Sequence, residues 1–185
     1  MLFVGVDIGL KGAIVALDGS GQVVEQITTP VVGTVSKPMR HDRAGVKRFC
    51  EGLLPSGPVH VCIEAPQSRR IYCVRCGMRQ GFDLTSIKMQ SYAEIWRMGF
   101  AGISTTFEEV HANSWRGVLK GAVELKEHVP KREQLKKAAI VHAKRLYPAL
   151  NLRPGKMRTD HDGIAEAALI ATYCRSKIMC RGAYA

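Results

Sequence analysis

Three apolar runs in this chain each carry carboxylates where a buried segment would least tolerate them. Asp7 sits inside the opening run Leu2-Phe3-Val4-Gly5-Val6-Asp7-Ile8-Gly9. Glu64 ends the run Val59-His60-Val61-Cys62-Ile63-Glu64. Asp162 and Glu166 open the run from Asp160 through Gly163, Ile164 and Ala165 to Ala171. An acid in a buried strand is costly unless it is paired or bound to a metal. Two such strands and a helix presenting acids at i and i+4 can converge on one point. Converging carboxylates repel one another, and their natural neutraliser is a hard divalent cation such as Mg²⁺ or Mn²⁺.

The charge balance says what such a site would act on. The formal net charge is +11, from 27 Lys+Arg against 16 Asp+Glu. If four acids point inward, the remaining surface is more basic than that sum. Residues 116–158 hold twelve Lys/Arg against only Glu124, Glu127 and Glu133. Residues 69–79 hold Arg69, Arg70, Arg75 and Arg79 and no acid. One-sided patches of this kind favour a polyanion. In a basic protein, a two-metal carboxylate site points to phosphodiester chemistry.

The length, 185 residues, predicts one compact domain over 1–185 with a core that needs no disulfides. No apolar run is long enough to span a bilayer, so no membrane partner is expected. The opening residues lack the charged start and cleavage site of a signal peptide, and a cytoplasmic location is expected. The six cysteines are scattered and should stay reduced there. Cys62 reads as core filler. Cys73 and Cys76 form one CxxC in a basic loop, half a zinc site without an evident second half; loop thiols are the favoured reading.

Along the chain, 2–8, 12–17 and 22–29 read as three consecutive antiparallel strands, with Asp18-Gly19-Ser20-Gly21 as a hairpin turn. Residues 30–38 read as a loop and 42–54 as a helix ended by Pro55-Ser56-Gly57-Pro58. A strand at 59–64 precedes an Arg-rich loop at 67–81. A helix at 83–99, a strand at 103–110 and a short helix near 113–120 anchored by Trp115 follow. A basic helix at 131–147, a linker at 151–159 and a last helix at 161–176 complete the order. The expected class is α/β: a mixed sheet, three antiparallel strands then parallel strands, with helices on both faces. Asp7 and Glu64 would end neighbouring strands. Ala165, Ala167, Ala168 and Ala171 would let the last helix bring Asp162 and Glu166 close to the sheet.

Around the four acids stand further candidates. Asp160 reads as a cap for the last helix or an alternative ligand. His161 could bind metal or move a proton. Arg116, Lys120, Lys131 and Lys137 could contact the scissile phosphate, where a cation offsets developing charge; most of them, with Lys136, must be plain backbone-binding charges. Tyr72 and Phe82 flank the Arg-rich loop, and Phe82 could stack on an unpaired base.

These residues together resemble a known family, the RuvC-type Holliday-junction resolvases, and in particular their phage-like branch. The resemblance spans most of the chain. It rests on Val4-Gly5-Val6-Asp7-Ile8-Gly9, Ile63-Glu64-Ala65-Pro66-Gln67, Ser114-Trp115-Arg116 and His161-Asp162-Gly163-Ile164-Ala165-Glu166-Ala167. It implies an RNase H-like fold, a homodimer and Mg²⁺-dependent nicking of four-way DNA junctions. It carries metal ligation to Asp7, Glu64, Asp162 and Glu166, with two ions per active site and Mn²⁺ as a substitute. In the best-known bacterial pattern the final acids are three apart, whereas Asp162 and Glu166 are four apart, so the fourth ligand stays open among Asp160, His161, Asp162 and Glu166. The family's basic residue near the site maps loosely onto Arg116 or Lys120.

Three rivals remain. The Asp7-Ile8-Gly9 strand and hairpin also open sugar kinases and actin-like ATPases, but those need two such domains and a second phosphate loop. Another RNase H-like nuclease, acting on flaps, other branched DNA or RNA–DNA hybrids, shares the same acids. A non-catalytic junction-binding module would not need them.

Overall fold

The computed structural model describes residues 1–34, 37–66, 70–72, 75–76, 79–119 and 131–182. Its centre is a five-stranded sheet. Strands β1 (Leu2–Asp7), β2 (Ala13–Asp18) and β3 (Val23–Thr28) form the antiparallel meander, and β6 (Val59–Glu64) and β9 (Thr106–Val110) extend it in parallel, in the order β3-β2-β1-β6-β9. The register pairs Val6 with Ile63 in parallel across β1 and β6. Asp7 and Glu64 are the next residues along, so both acids end adjacent strands at the same edge of the sheet.

The two-residue period of a strand divides these side chains between two cores. Leu2, Val4, Val6 and Ile8 pack with Val59, Val61 and Ile63 against helices α1 (Arg43–Gly52) and α2 (Leu84–Phe100). Phe3 and Cys62 pack on the other side against helix α5 (Asp162–Gly182). Asp7 and Glu64 share the parity of Phe3 and Cys62 and therefore face α5. Helix α4 (Lys131–Leu146) covers α5, burying Ala138, Ala139 and Ala143.

Helix α5 lies unusually close to β1. A Cβ added to Gly5 would stand 2.1 Å from the Ala167 carbonyl oxygen and 2.3 Å from the Ala171 nitrogen. The facing Ala165, Ala167, Ala168 and Ala171 are all fully buried. Small side chains on the helix and none at Gly5 set the separation, and the separation sets how far Asp162 and Glu166 reach toward the sheet.

The fold differs from the sequence expectations in four places. Residues 30–38 hold a small hairpin, β4 (Val31–Thr34) and β5 (Lys37–His41). Val31, Val32 and Met39 are exposed there, so no alternation of buried and exposed positions announces it. The Arg-rich segment holds a second hairpin, β7 (Arg70–Tyr72) and β8 (Arg79–Phe82). Strand β9 starts at Thr106 because a turn at Gly102 (φ +73°) occupies the residues before it. Helix α5 runs past 176 to Gly182, since the sequence there holds no breaker. Helix α3 (Ala112–Trp115) continues as a 3-10 turn over Arg116–Leu119, and Trp115 is fully buried as its anchor. Among the described residues, no helix is long and apolar enough to cross a membrane.

Candidate carboxylate site

Asp7 ends β1, and its Oδ1 accepts the Gly9 N–H at 3.3 Å. Gly12 closes the turn that follows; a Cβ there would fall 2.1 Å from the Asp7 carbonyl oxygen. Glu64 ends β6. Glu166, one turn into α5, is only 7% exposed. Arg116, just after α3, reaches between the last two: its Nη2 lies 3.6 Å from Glu64 Oε1 and 3.8 Å from Glu166 Oε1. Its guanidinium also lies 4.8 Å from the centre of the Trp115 ring, so the buried indole fixes where the cation stands. Lys136 of α4 donates to Asp162 Oδ2 at the head of α5.

Burial and mutual repulsion dominate the electrostatics. Burial raises the Asp7 carboxyl to about 6; the Gly9 N–H opposes this and the Asp162 charge adds to it. Burial, then the Asp7 charge, raises Glu64 to about 7 against Arg116 and Arg132. Burial, then Asp7 and Glu64, raises Glu166 to about 8 despite Arg116 and Lys136. Asp162 goes the other way: burial works against its charge, but the Lys136 ion pair outweighs burial and holds it below the usual carboxylate range. Asp7, Glu64 and Glu166 thus behave as one cluster short of positive charge.

This donor set suits a hard divalent cation: it is all oxygen, shielded from water and under-neutralised. Among the described residues, no group of three or more His, Cys, Asp or Glu side chains already closes into a ligand cage. As placed, Glu64 and Glu166 turn toward Arg116 and Asp162 toward Lys136.

The residues at the head of α5 take roles different from those expected. Ile164 N–H donates to His161 Nδ1 at 3.1 Å, so His161, not Asp160, caps the helix. Asp160 instead accepts from Lys144 and from Arg153 Nε, each at 2.7 Å, and these two cations hold its carboxyl low. Burial lowers the His161 imidazole pKa, and with Nδ1 engaged only Nε2 is left to meet anything else.

The cations sort into two groups. Arg116 and Lys136, read from sequence as DNA-binding charges, stand at the carboxylates. The signal for Lys136 was present but weak: it shares a helical face with the buried Ala139 and Ala143, three and seven residues on. Lys137 is exposed on α4 and Arg75 in a turn, away from any described ion pair. Arg70, Arg79 and Phe82 lie on the β7–β8 hairpin and Lys131 starts α4, but their side chains, like Arg69 and Lys120 entirely, lie outside the described residues. Cys76 is exposed with a free thiol, and Cys73 lies outside the described residues.

No protein-family model matches this chain. No curated protein matches it either. Solved structures do. The structure of RuvC from Thermus thermophilus is similar over 97% of this chain and 97% of its own, at 15% identity and a TM-score of 0.54. Thermus thermophilus RuvC in complex with a Holliday junction substrate is similar over 97% of this chain and 96% of its own, at 12% identity and a TM-score of 0.53. The chain has a RuvC-like, RNase H-type fold. At this identity the likeness carries the fold alone. What the RuvC-like frame does for the site is mechanical: it sets two parallel strand ends and one helix start side by side.

Proposed function

We propose that this chain is a divalent-metal-dependent endonuclease that nicks branched DNA, four-way junctions above all. The observation that carries the reading is the cluster itself: Glu166 buried and Asp7 and Glu64 half-buried together, with Asp162 beside Asp7 and two cations at hand. Nothing in the packing requires three ionisable groups there, and their raised pKa values mark them as waiting for positive charge. The junction-bound RuvC neighbour and the basic surface support DNA as the substrate.

Asp7, Glu64, Asp162 and Glu166 would hold the metal, Mg²⁺ with Mn²⁺ as a substitute, two ions per site. Bound there, the ions would supply an activated water and stabilisation of the leaving oxygen. The chain's own residues set the conditions. Protons must leave Asp7, Glu64 and Glu166 before these carboxylates can serve as ligands. Arg116, braced on Trp115, and Lys136 stand where a non-bridging phosphate oxygen would lie against the acids. Arg75, Lys137, Lys131 and the Arg69, Arg70, Arg79 and Phe82 segment would hold the arms, and Lys120 would approach the scissile phosphate. We read 1–185 as one nuclease domain of the phage-like branch, acting in the cytoplasm as a homodimer whose two-fold axis suits a junction's approximate symmetry. The apolar Leu84 and Ile87, exposed at the start of α2, support a partner surface.

The test is a cleavage panel: four-way junction, flap, duplex and RNA–DNA hybrid, each with Mg²⁺, with Mn²⁺ and with chelator. Junction nicking with divalent metal, lost in Asp7→Asn and Glu64→Gln while binding survives, is expected. Preference for flap or hybrid would move the chain to another RNase H-type activity. Tight junction binding with no cleavage under any metal would make it a binding module. Sedimentation of the DNA-free protein as a monomer would remove the dimer.

A further inference from the structure

Arg116 stands where two carboxylates from different elements meet. Its Nη2 lies 3.6 Å from Oε1 of the half-buried Glu64 on β6 and 3.8 Å from Oε1 of the buried Glu166 on α5. Its charge pulls both carboxyls down against burial. The oxygens a metal ion would draw on at these two acids therefore face a guanidinium. Two positive charges a few Å apart, in a site shielded from water, repel strongly. Arg116 as placed and a cation held by Glu64 and Glu166 exclude each other.

The hold of Arg116 on the two acids is loose. Both distances exceed a hydrogen bond. Its Nε, shielded from water, has no hydrogen-bond partner among the described residues. The remaining contact is with the Trp115 ring, whose centre lies 4.8 Å from the guanidinium carbon. Trp115 is fully buried, and the Arg116 backbone opens a 3-10 turn, so the side chain can leave the acids without the fold moving. It is also 27% exposed, which gives it a way out. Lys136 differs, since it pairs with Asp162 alone and donates to it directly. A phosphate would offer Arg116 what the two carboxylates do not, a pair of oxygens matched to the guanidinium fork.

We propose that Arg116 is a built-in counter-ion that keeps divalent metal off Glu64 and Glu166 until a phosphate of the DNA draws it away, so that metal loading waits for substrate. The proposal rests on the nuclease reading for the metal and the phosphate, and adds the order in which they bind. By linkage, a phosphate that takes Arg116 strengthens metal binding, and metal strengthens phosphate binding by the same factor.

The test is Mg²⁺ binding to the whole DNA-free chain, read by calorimetry at pH 9. That lies above the values of about 7 and 8 to which Glu64 and Glu166 are raised, so protons no longer compete. Arg116→Gln should bind Mg²⁺ about tenfold more tightly than the wild type. Arg132, exposed on α4, acts on Glu64 by charge alone; Arg132→Gln removes an equal charge and should tighten binding by less than about threefold. A second reading uses 5-fluorotryptophan, its two ¹⁹F signals assigned with Trp96→Phe. Trp96 packs on the other side of the sheet and serves as the reference. The Trp115 signal should shift when Mg²⁺ is added, and again when a four-way junction is added in chelator, because each moves the guanidinium off the indole. Arg116→Gln should lose both responses. Should that variant fold poorly, Arg116→Met, which keeps the reach and loses the charge, takes its place. Mg²⁺ binding that is unchanged or weaker in Arg116→Gln overturns the proposal and makes Arg116 a brace that sets the two acids for metal. Equal tightening in Arg132→Gln also overturns it, since overall charge would then be the cause. So does a Trp115 signal that the junction leaves unmoved, which removes phosphate as the release. Junction cleavage is measured on the same preparations. Cleavage by the wild type with no gain in Mg²⁺ affinity in Arg116→Gln sinks the counter-ion alone. That gain, with no branched DNA cleaved by the wild type, sinks the nuclease reading alone.

Discussion

A carboxyl group moved out of water loses solvation that only a counter-charge restores, and Glu166 shows the consequence most strongly. In the unfolded chain Asp7, Glu64 and Glu166 titrate near 3.8 and 4.5; in the fold they are raised to about 6, 7 and 8. Between about 4 and those upper values the folded chain holds more protons than the unfolded one, so without metal its stability falls as pH rises through that window. Glu166→Gln keeps the volume and removes the charge. It should abolish cleavage, yet raise the melting temperature at pH 8 in chelator by a few degrees, at about 2–4 °C per kcal/mol for a chain this size, and flatten the pH dependence. Added divalent metal should raise the wild-type melting temperature more at pH 8 than at pH 5.5 and should help the variant less. A wild-type melting temperature that climbs from pH 5 to pH 8 in chelator would contradict the assignment. Asp7 and Glu64 were legible in the sequence because an acid inside an apolar strand has few other reasons to be there. Lys136 was not, since α4 carries several cations and only packing against α5 separates one from the others.

At the scale of elements, the site depends on the contact between α5 and β1. Gly5→Ala would drive a Cβ into the backbone of α5 at Ala167 and Ala171. Backbone cannot move aside as a side chain can, so the helix must shift and take Asp162 and Glu166 with it. The variant should lose cleavage and melt well below the wild type. A Gly5→Ala chain of wild-type stability would show that α5 sits farther out. The head of α5 offers a finer test. Asn is a good N-cap, so His161→Asn keeps the bond to Ile164 N–H and deletes Nε2. If His161 only caps, that variant keeps its melting temperature and most of its cleavage, and so does Asp160→Asn; loss of cleavage in His161→Asn at unchanged stability would return the imidazole to the chemistry. β1, β2 and β6 were legible because each runs largely apolar over six residues, and Asp18-Gly19-Ser20-Gly21 marks the first turn. The β4–β5 hairpin was not, because the apolar Val31, Val32 and Met39 on it are exposed and give no core-facing alternation. The cap was missed for a different reason: Asp is a far commoner cap than His, and only the Lys144 and Arg153 partners that draw Asp160 away leave the position to His161.

For the molecule as a whole, the arrangement separates cations paired with the buried acids from cations left to solvent. The four site acids point inward, so the charge facing solvent is more positive than the formal +11. A polyanion bound to such a surface releases counterions, and log affinity should fall steeply and linearly with log salt. Lys136 and Lys137 are neighbours in sequence on one helix, yet Lys136 is paired with Asp162 and Lys137 faces solvent. Lys137→Glu should therefore weaken junction binding and lower the salt slope by about 1–2, with single-turnover cleavage at saturating DNA little changed. Lys136→Ala should leave the slope nearly intact and cut that saturated rate by about 10²-fold or more, the usual cost of losing a cation at a developing charge. Binding is read in chelator, so that cleavage does not consume the probe, and the rate is read after metal is added. Equal effects of the two substitutions on slope and rate would mean that α4 lies against the DNA as a uniformly charged rod. A flat salt dependence for the wild type would remove the phosphate-binding surface altogether. The contrast is informative because the two side chains differ in little except the face of α4 they occupy, so any difference between them reports the fold rather than the composition.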